Sequence, residues 1–262
     1  LRDPDATDTI FLGVAWSSDG HLLACGSFLP SVQVWDMTTR NRLWVRPTEP
    51  TLIRRVAWSP DATRLVGGGD NGSVYVWDAT DGTQRQRLVG HDGVVMSVAW
   101  SPDGMRLASA GSGREDGELF VWEAQSGERV RVLVEHPGAA SAVAWSPSGE
   151  LLISGGSDGR LRWWEVDSGQ CVREPCLGDR YQEAHQGTVQ ALKVSPDGSR
   201  LASCGDDGAI VLWDLHSGEH LQTLRRDRPY ERLNITGIRG LSAAQKASLR
   251  ALGAIEEAAP PS

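Results

Sequence analysis

Residues 95–123 read VMSVAWSPDGMRLASAGSGREDGELFVWE, and the order of signals inside that stretch decides the fold. Val95-Met96-Ser97-Val98-Ala99-Trp100 is a strand pattern, and Ser101-Pro102-Asp103-Gly104 then makes a turn. Pro presets the backbone dihedral at the second turn position, and Asp-Gly tolerates the tight reversal. Arg106 to Ala110 reads as a second strand, followed by a loop through Asp116-Gly117. A third strand runs from Leu119 to Trp122 and ends at the turn Gln125-Ser126-Gly127. Arg129 to Val134 is the fourth.

Working outward, the same ending recurs along the chain. Val34-Trp35-Asp36, Val76-Trp77-Asp78, Val121-Trp122-Glu123, Trp163-Trp164-Glu165 and Leu212-Trp213-Asp214 each close a strand-like run on Trp and an acid, at steps of 42, 45, 42 and 49 residues. A second ladder runs in phase: Trp16, Trp58, Trp100, Trp145 and, in the fifth unit, Val194. The turn recurs as Ser17-Ser18-Asp19-Gly20, Ser59-Pro60-Asp61-Ala62, Ser146-Pro147-Ser148-Gly149 and Ser195-Pro196-Asp197-Gly198. Strands alternate, as in Leu161/Trp163 against Arg160/Arg162/Trp164. A period in the low forties with a β pattern inside each unit predicts a radial stack of small sheets rather than one ordinary core. Blades are expected at about 8–47, 48–89, 90–134, 135–183 and 184–225, with a separate tail over 226–262.

Composition fits this reading. The chain has 262 residues with 40% hydrophobic content, enough for a sizeable core. Eleven Trp stand beside three Phe and three Tyr, and nine of those Trp lie on the two ladders. A net charge of −8 argues against a nucleic-acid partner, which requires a clustered basic face. Cys25, Cys171, Cys176 and Cys204 have no disulfide-framework spacing, so a reduced, cytoplasmic setting is expected. No run of about 18 apolar residues predicts a membrane span, and there is no signal-peptide pattern. A chain opening on Leu1 rather than Met reads as a segment of something longer.

These units resemble WD repeats, which fold as blades of a β-propeller, over roughly residues 8–225. The resemblance extends to a side-chain network: a His before the first strand, a Ser or Thr on the second, an Asp in the following turn and the Trp of the third. It implies the tetrads His91, Ser109, Asp116, Trp122; His136, Ser154, Asp158, Trp164; and His185, Ser203, Asp207, Trp213. Units one and two depart from it. The His place holds Thr7 and Glu49, the Ser place Cys25 and Gly67, and the Asp place Leu29 and Asn71, so these blades are expected to lean on packing and to be less rigid. The fold class expected is all-β, a WD-repeat propeller of five recognisable blades with a short helical tail; the resemblance implies seven as the usual ring. Closure normally borrows a strand from the far terminus. Here the first strand is already an inner one, and the fifth unit carries its own outer strand, His220 to Leu224. Two free sides favour an array with absent blades over a self-closed ring of five.

In the tail, Arg225 to Arg232 is charged and reads as extended. Ser242 to Leu252 reads as a helix, with Ser242 and Gln245 in capping-box form and Gly253 as the stop. The stretch from Arg228 to Gly237, with Gly240-Leu241 and Ala244-Gln245-Lys246-Ala247, resembles the C-terminal end of large bacterial WD-repeat proteins, in which a propeller follows a signal-transduction NTPase or regulatory module.

His91, Ser109 and Asp116 are the residue types of a nucleophilic triad. A trio repeated three times in register is a structural device, and no Gly-X-Ser-X-Gly elbow supports a hydrolase, which stays a distant alternative. Cys171, Cys176, His185, His216 and His220 match no common zinc spacing, so neither metal nor cofactor is expected. There is no phosphate-binding loop sequence. Arg225, Arg226, Arg228 and Arg232 alternate with Asp227 and Glu231 and read as a solvated segment.

Propellers bind on the loops at one end of the ring, and the resemblance places Phe28, Asp70, Glu115, Ser157 and Asp206 there. The long loop from Gly178 to Glu183 adds Tyr181. The expected function is a non-catalytic protein-interaction scaffold or sensor, the C-terminal part of a larger bacterial signalling protein. Its partners would be proteins or other domains of the same protein, with no membrane. The alternative is a purely structural partial propeller completed by further blades or another chain.

Overall fold

Twenty strands arranged as five four-stranded antiparallel sheets make up the computed structural model, which describes residues 10–48, 50–113, 116–174, 184–225, 234–236, 238 and 241–251. Blade 1 holds β1 to β4 (Phe11–Trp16, Leu22–Ser27, Ser31–Asp36, Asn41–Pro47). Blade 2 holds β5 to β8 (Ile53–Trp58, Arg64–Gly69, Ser73–Asp78, Gln84–Val89). Blade 3 holds β9 to β12 (Val95–Trp100, Arg106–Ser112, Asp116–Glu123, Arg129–Pro137). Blade 4 holds β13 to β16 (Ala140–Trp145, Leu151–Gly156, Leu161–Glu165, Gln170–Arg173). Blade 5 holds β17 to β20 (Val189–Val194, Arg200–Gly205, Ala209–Asp214, His220–Arg225). Within each sheet the strands pair in chain order.

The turns form as their chemistry dictates. Ser101 Oγ donates to Asp103 Oδ1 at 2.5 Å, and the Asp103 carboxylate accepts the Met105 N–H at 2.9 Å. Gly104 holds a left-handed φ of 69°, as do Gly20, Gly149 and Gly198; in blade 2 the same place is Ala62 at φ 55°, which carries a Cβ into a region that favours glycine.

Blades pack face to face, and the apolar residues fall into four cores, one between each neighbouring pair. In the first, Val32, Val34 and Trp44 of blade 1 meet Ile53, Val56, Trp58 and Trp77 of blade 2. The second ladder stitches these faces: Trp58 Nε1 donates to Ala15 O (2.9 Å), Trp100 Nε1 to Ala57 O (3.3 Å) and Trp145 Nε1 to Ala99 O (3.3 Å). Each Trp thus caps a carbonyl of the preceding blade's inner strand, which satisfies a polar group that would otherwise be costly to bury. Inner-strand residues of all five blades line one cavity of about 670 Å³, among them Val14, Arg55, Ser97, Val143 and Lys193. The inner strands therefore converge on a common axis.

Blade 3 departs from the expected boundaries. The second and third strands reach Ser112 and start at Asp116, and β12 continues to Pro137. Three more residues lie between Ser109 and Trp122 than between the matching pair in blades 4 and 5. They extend the hairpin, so Ser112 pairs with Gly117 and Asp116 with Pro137.

The chain divides into two units, Leu1–Thr223 and Leu224–Ser262. In the second, α1 (Ala243–Ala251) begins with reciprocal capping: Gln245 N donates to Ser242 Oγ at 3.2 Å and Ser242 N to Gln245 Oε1 at 2.9 Å. Gly253 and Arg226 to Arg232 lie outside the described residues. Among the described residues, no helix is long and apolar enough to cross a membrane.

Candidate functional site

Each hydrogen-bonded network starts from a Trp buried inside its own blade. In blade 4, Trp164 Nε1 donates to Ser154 Oγ at 2.8 Å, Ser154 Oγ lies 2.7 Å from His136 Nε2, and His136 Nδ1 lies 3.1 Å from Asp158 Oδ1. In blade 5 the same chain runs Trp213, Ser203, His185, Asp207 at 2.9, 2.7 and 3.0 Å. A neutral imidazole donating from Nδ1 to the carboxylate leaves Nε2 to accept the Ser O–H, and the Ser oxygen accepts from the indole. Every member is then satisfied. The Ser oxygen is occupied on both sides, and Ser154 and Ser203 are buried, which is the reverse of an exposed nucleophile.

Blade 3 corrects one assignment. Trp122, Ser109 and His91 are joined at 2.8 and 2.7 Å, but the carboxylate at His91 Nδ1 is Glu118 Oε2 at 3.1 Å, not Asp116. The extended hairpin lifts Asp116 to an exposed position opposite Pro137, and the longer side chain of Glu118 fills the place it vacates. Burial, helped by the Arg129 charge, pushes His91 down to about 4. Burial also raises Glu118, opposed by the Asp92 N–H. Both shifts disfavour charge, so desolvation outweighs ion-pair attraction here and His91 is neutral at pH 7.

Blade 4 carries a member that spacing did not reveal. Arg162, 4% exposed, lies beside His136, donates to Asp158 Oδ2 at 2.8 Å and holds Glu174 Oε1 at 2.7 Å. For Asp158, burial raises the pKa, but hydrogen bonds from His136 and Arg162 outweigh it and bring the carboxyl down to about 2. Alternation placed Arg162 on a polar face. The signal was available two residues before each ladder Trp, where Gln33, Tyr75, Phe120 and Val211 mark an interior place. Blades 1 and 2 use other means. The Trp77 ring lies 2.8 Å from where a Cβ on Gly67 would stand, Tyr75 stacks on Trp77, and Asn71 Nδ2 donates to Tyr75 Oη at 2.9 Å. In blade 1 Cys25 is buried, which pushes its thiol up to about 11, while Leu29 is exposed. Thr7 and Glu49 lie outside the described residues.

Phe28, Asp70, Ser157 and Asp206 occupy equivalent turns of blades 1, 2, 4 and 5. Phe28 is 57% exposed. Asp70 takes a bidentate pair from Arg54 (Nε–Oδ1 2.5 Å, Nη2–Oδ2 3.1 Å), and Asp206 accepts from Gln190 Nε2 at 2.7 Å and Thr188 N at 3.1 Å. Those two donors, Gln190 first, lower the Asp206 pKa. Ser157 Oγ accepts the Ala139 N–H at 2.9 Å. Arg54 and Gln190 share the second position of the inner strand and were missed because they lie in an alternating strand, not a loop. Glu115 and Tyr181 lie outside the described residues. Among those described, no three His, Cys, Asp or Glu side chains are grouped to hold a metal ion; Cys176 is not one of them.

A family model for the WD domain, G-beta repeat, matches residues 6–36, 46–78, 82–123, 127–165 and 176–214, well over half of the chain. The chain belongs to the WD-repeat family. Each matched WD segment ends on the acid after a tetrad-ladder Trp, and the third and fourth segments each take in one blade's outer strand and three strands of the next. Neighbouring blades are thereby tied through the sequence as well as through their cores. WD-repeat chains typically act as non-enzymatic scaffolds for protein–protein interaction. Comparison with curated proteins gives no match.

Proposed function

We propose that this chain is a non-catalytic interaction scaffold that engages a protein partner through the blade-loop end carrying Phe28, Asp70, Ser157 and Asp206. The observation that supports it most is the pre-arrangement of that end: two carboxylates, in blades 2 and 5, are held by Arg54 and Gln190 in fixed geometry, at turns equivalent to the one that leaves Phe28 of blade 1 in water. An aromatic anchor on a rigid scaffold beside fixed acceptors loses little entropy on binding. The tail resemblance supports a finer assignment, the C-terminal sensor of a larger bacterial signalling protein in the cytoplasm, with the blade loops binding a ligand protein or holding an attached module inactive.

The test is capture of partners by the wild-type chain and by a Phe28→Ala, Asp70→Ala, Asp206→Ala triple variant of matched melting temperature. Binding that survives the triple change refutes this face. Ester hydrolysis that disappeared on Ser109→Ala, with the fold intact, would restore the enzyme reading.

A further inference from the structure

The chain has three asparagines, and the residue after each decides how its amide can react: Asn41 precedes Arg42, Asn234 precedes Ile235 and Asn71 precedes Gly72. A main-chain nitrogen can attack the amide carbon of the asparagine before it and close a five-membered succinimide ring. A side chain on the attacking residue hinders that approach, and glycine leaves it open. Asn71 stands in the turn between β6 and β7, at the place that Asp158 and Asp207 hold in blades 4 and 5. The three turns are built alike. In each, Oδ1 accepts the N–H two residues on, from Ser73 at 3.2 Å, Arg160 at 3.2 Å and Ala209 at 3.0 Å. The intervening glycine is left-handed in all three, with φ of 76° at Gly72, 71° at Gly159 and 70° at Gly208. The difference lies in what the side chain meets. In blades 4 and 5 a carboxylate bonds a buried imidazole, whereas the Asn71 amide is exposed and its Nδ2 donates to Tyr75 Oη at 2.9 Å.

We propose that Asn71-Gly72 is a site of spontaneous deamidation in the folded chain. The Gly72 nitrogen adds to Asn71 Cγ and gives its proton to solvent; the Cγ–Nδ2 bond then breaks, and the nitrogen takes a proton from water and leaves as ammonia. A second water opens the ring at either carbonyl, to an aspartyl residue or its isoaspartyl isomer. The net change is one amide and one water to one carboxylate and one ammonium. The turn favours the first step. Negative charge grows on Oδ1 as the nitrogen adds, and the Ser73 N–H already points at that oxygen. Tyr75 Oη fixes the plane of the amide. The nucleophile is loosely held, since the Gly72 N–H has a 3.3 Å bond to Gly69 O, beyond the usual range for such bonds. The two products differ in fit. An aspartyl residue is what blades 4 and 5 carry in this turn, so the hairpin accepts it with the same Oδ1 contact. The isomer lengthens the main chain by one methylene just before Gly72, where even a Cβ would stand 2.2 Å from His91 O of blade 3. Both products add a negative charge beside Asp70, whose partner Arg54 is already engaged by it through Nε and Nη2. The loop end thus grows more acidic as the molecule ages. That consequence for binding rests on the loop-end reading; the modification itself does not.

The test incubates the full chain at neutral pH, folded and in guanidinium, and follows the peptide containing residue 71 by mass spectrometry together with its isoaspartyl content. In the folded chain, conversion at residue 71 is expected at a rate within about tenfold of the unfolded one. Folded domains spend about one part in a thousand of their time unfolded or less, so such a rate arises without global unfolding. Asn41 and Asn234 are expected to stay intact over the same interval. Asn71→Gln, whose longer side chain closes the ring far less readily, should abolish the conversion. Asn71→Asp should melt within about 2 °C of the wild type, as an exposed substitution that keeps the turn. Three results overturn the proposal: a folded chain that stays unconverted while the unfolded one reacts, conversion of Asn41 or Asn234 at an equal rate, and conversion that persists in Asn71→Gln. The readout is the mass of one peptide, so a failure of the loop-end reading leaves it untouched.

Discussion

Replacing Ser154 by Ala removes one oxygen and strands two buried groups. Trp164 Nε1 loses its acceptor at 2.8 Å, and His136 Nε2 loses its donor at 2.7 Å. Ser154, Trp164 and His136 are all buried, so water does not readily replace the hydroxyl. An unsatisfied buried donor or acceptor costs about 1–3 kcal/mol, so two give roughly 2–5 kcal/mol, offset slightly because the methyl group suits an apolar site. At about 2–4 °C per kcal/mol for a domain of this size, melting should fall by roughly 4–20 °C. Chemical denaturation at pH 7 gives the free energy directly. A double-mutant cycle with Trp164→Phe isolates the indole–hydroxyl bond, where a coupling of about 1 kcal/mol or more is expected. Ser168→Ala on the exposed turn supplies the baseline, within about 0.5 kcal/mol. If Ser154→Ala costs no more than Ser168→Ala, the idea that these networks hold the blades is wrong.

Stability should fall as pH drops from about 6.5 to 4, because the folded state keeps His91 unprotonated down to about 4 while the unfolded chain takes up its proton near 6.5. The loss is on the order of 3 kcal/mol, and His91→Gln should flatten that limb in denaturant titrations; Glu118, whose pKa is raised, works weakly in the opposite sense. A second fall is expected below about pH 3.8, where the unfolded chain protonates the equivalent of Asp158 and the folded one resists down to about 2. Ala62→Gly should raise the melting temperature by about 1–4 °C, since it relieves a left-handed alanine that costs roughly 1–2 kcal/mol, less the extra chain entropy of glycine. An unchanged or lower value would show that the turn has relaxed around Ala62.

The strands were legible because three independent signals agree in every unit: alternation, a Ser-led turn that keeps at least three of the four residues Ser-Pro-Asp-Gly, and the Trp-acid ending. The partner of His91 was not. Counting back from Trp122 points to Asp116, and only the pairing of Ser112 with Gly117 shows that the hairpin has grown and brought Glu118 under the imidazole. Arg162 was hidden for a related reason. An alternating charge reads as solvent-facing; only the interior place two residues before the ladder Trp marks it, and its partners, Asp158 four residues back and Glu174 just past the end of β16, are set by the fold. The loop-end carboxylates were found by register, but their donors were not, since Arg54 and Gln190 belong to strands whose side-chain direction needs the sheet twist to resolve.

The two kinds of contact divide the labour in a way that bears on function. Hydrogen-bonded networks centre on one blade and fix its second and third strands and the turn between them, though in blade 4 the imidazole, His136, comes from β12 at the edge of blade 3; apolar cores act between blades. Breaking one tetrad should therefore loosen one blade's turn, whereas emptying one core should separate neighbours. The candidate interaction residues Asp70, Ser157 and Asp206 sit immediately before the tetrad carboxylate position of their blades, Asn71, Asp158 and Asp207. In blades 4 and 5 a network partner is thus one peptide bond from the proposed surface. A loop end built this way is rigid where it binds because it is anchored one residue deeper. Variants such as Ser203→Ala should weaken partner binding at Asp206 even though Ser203 is buried and touches no partner.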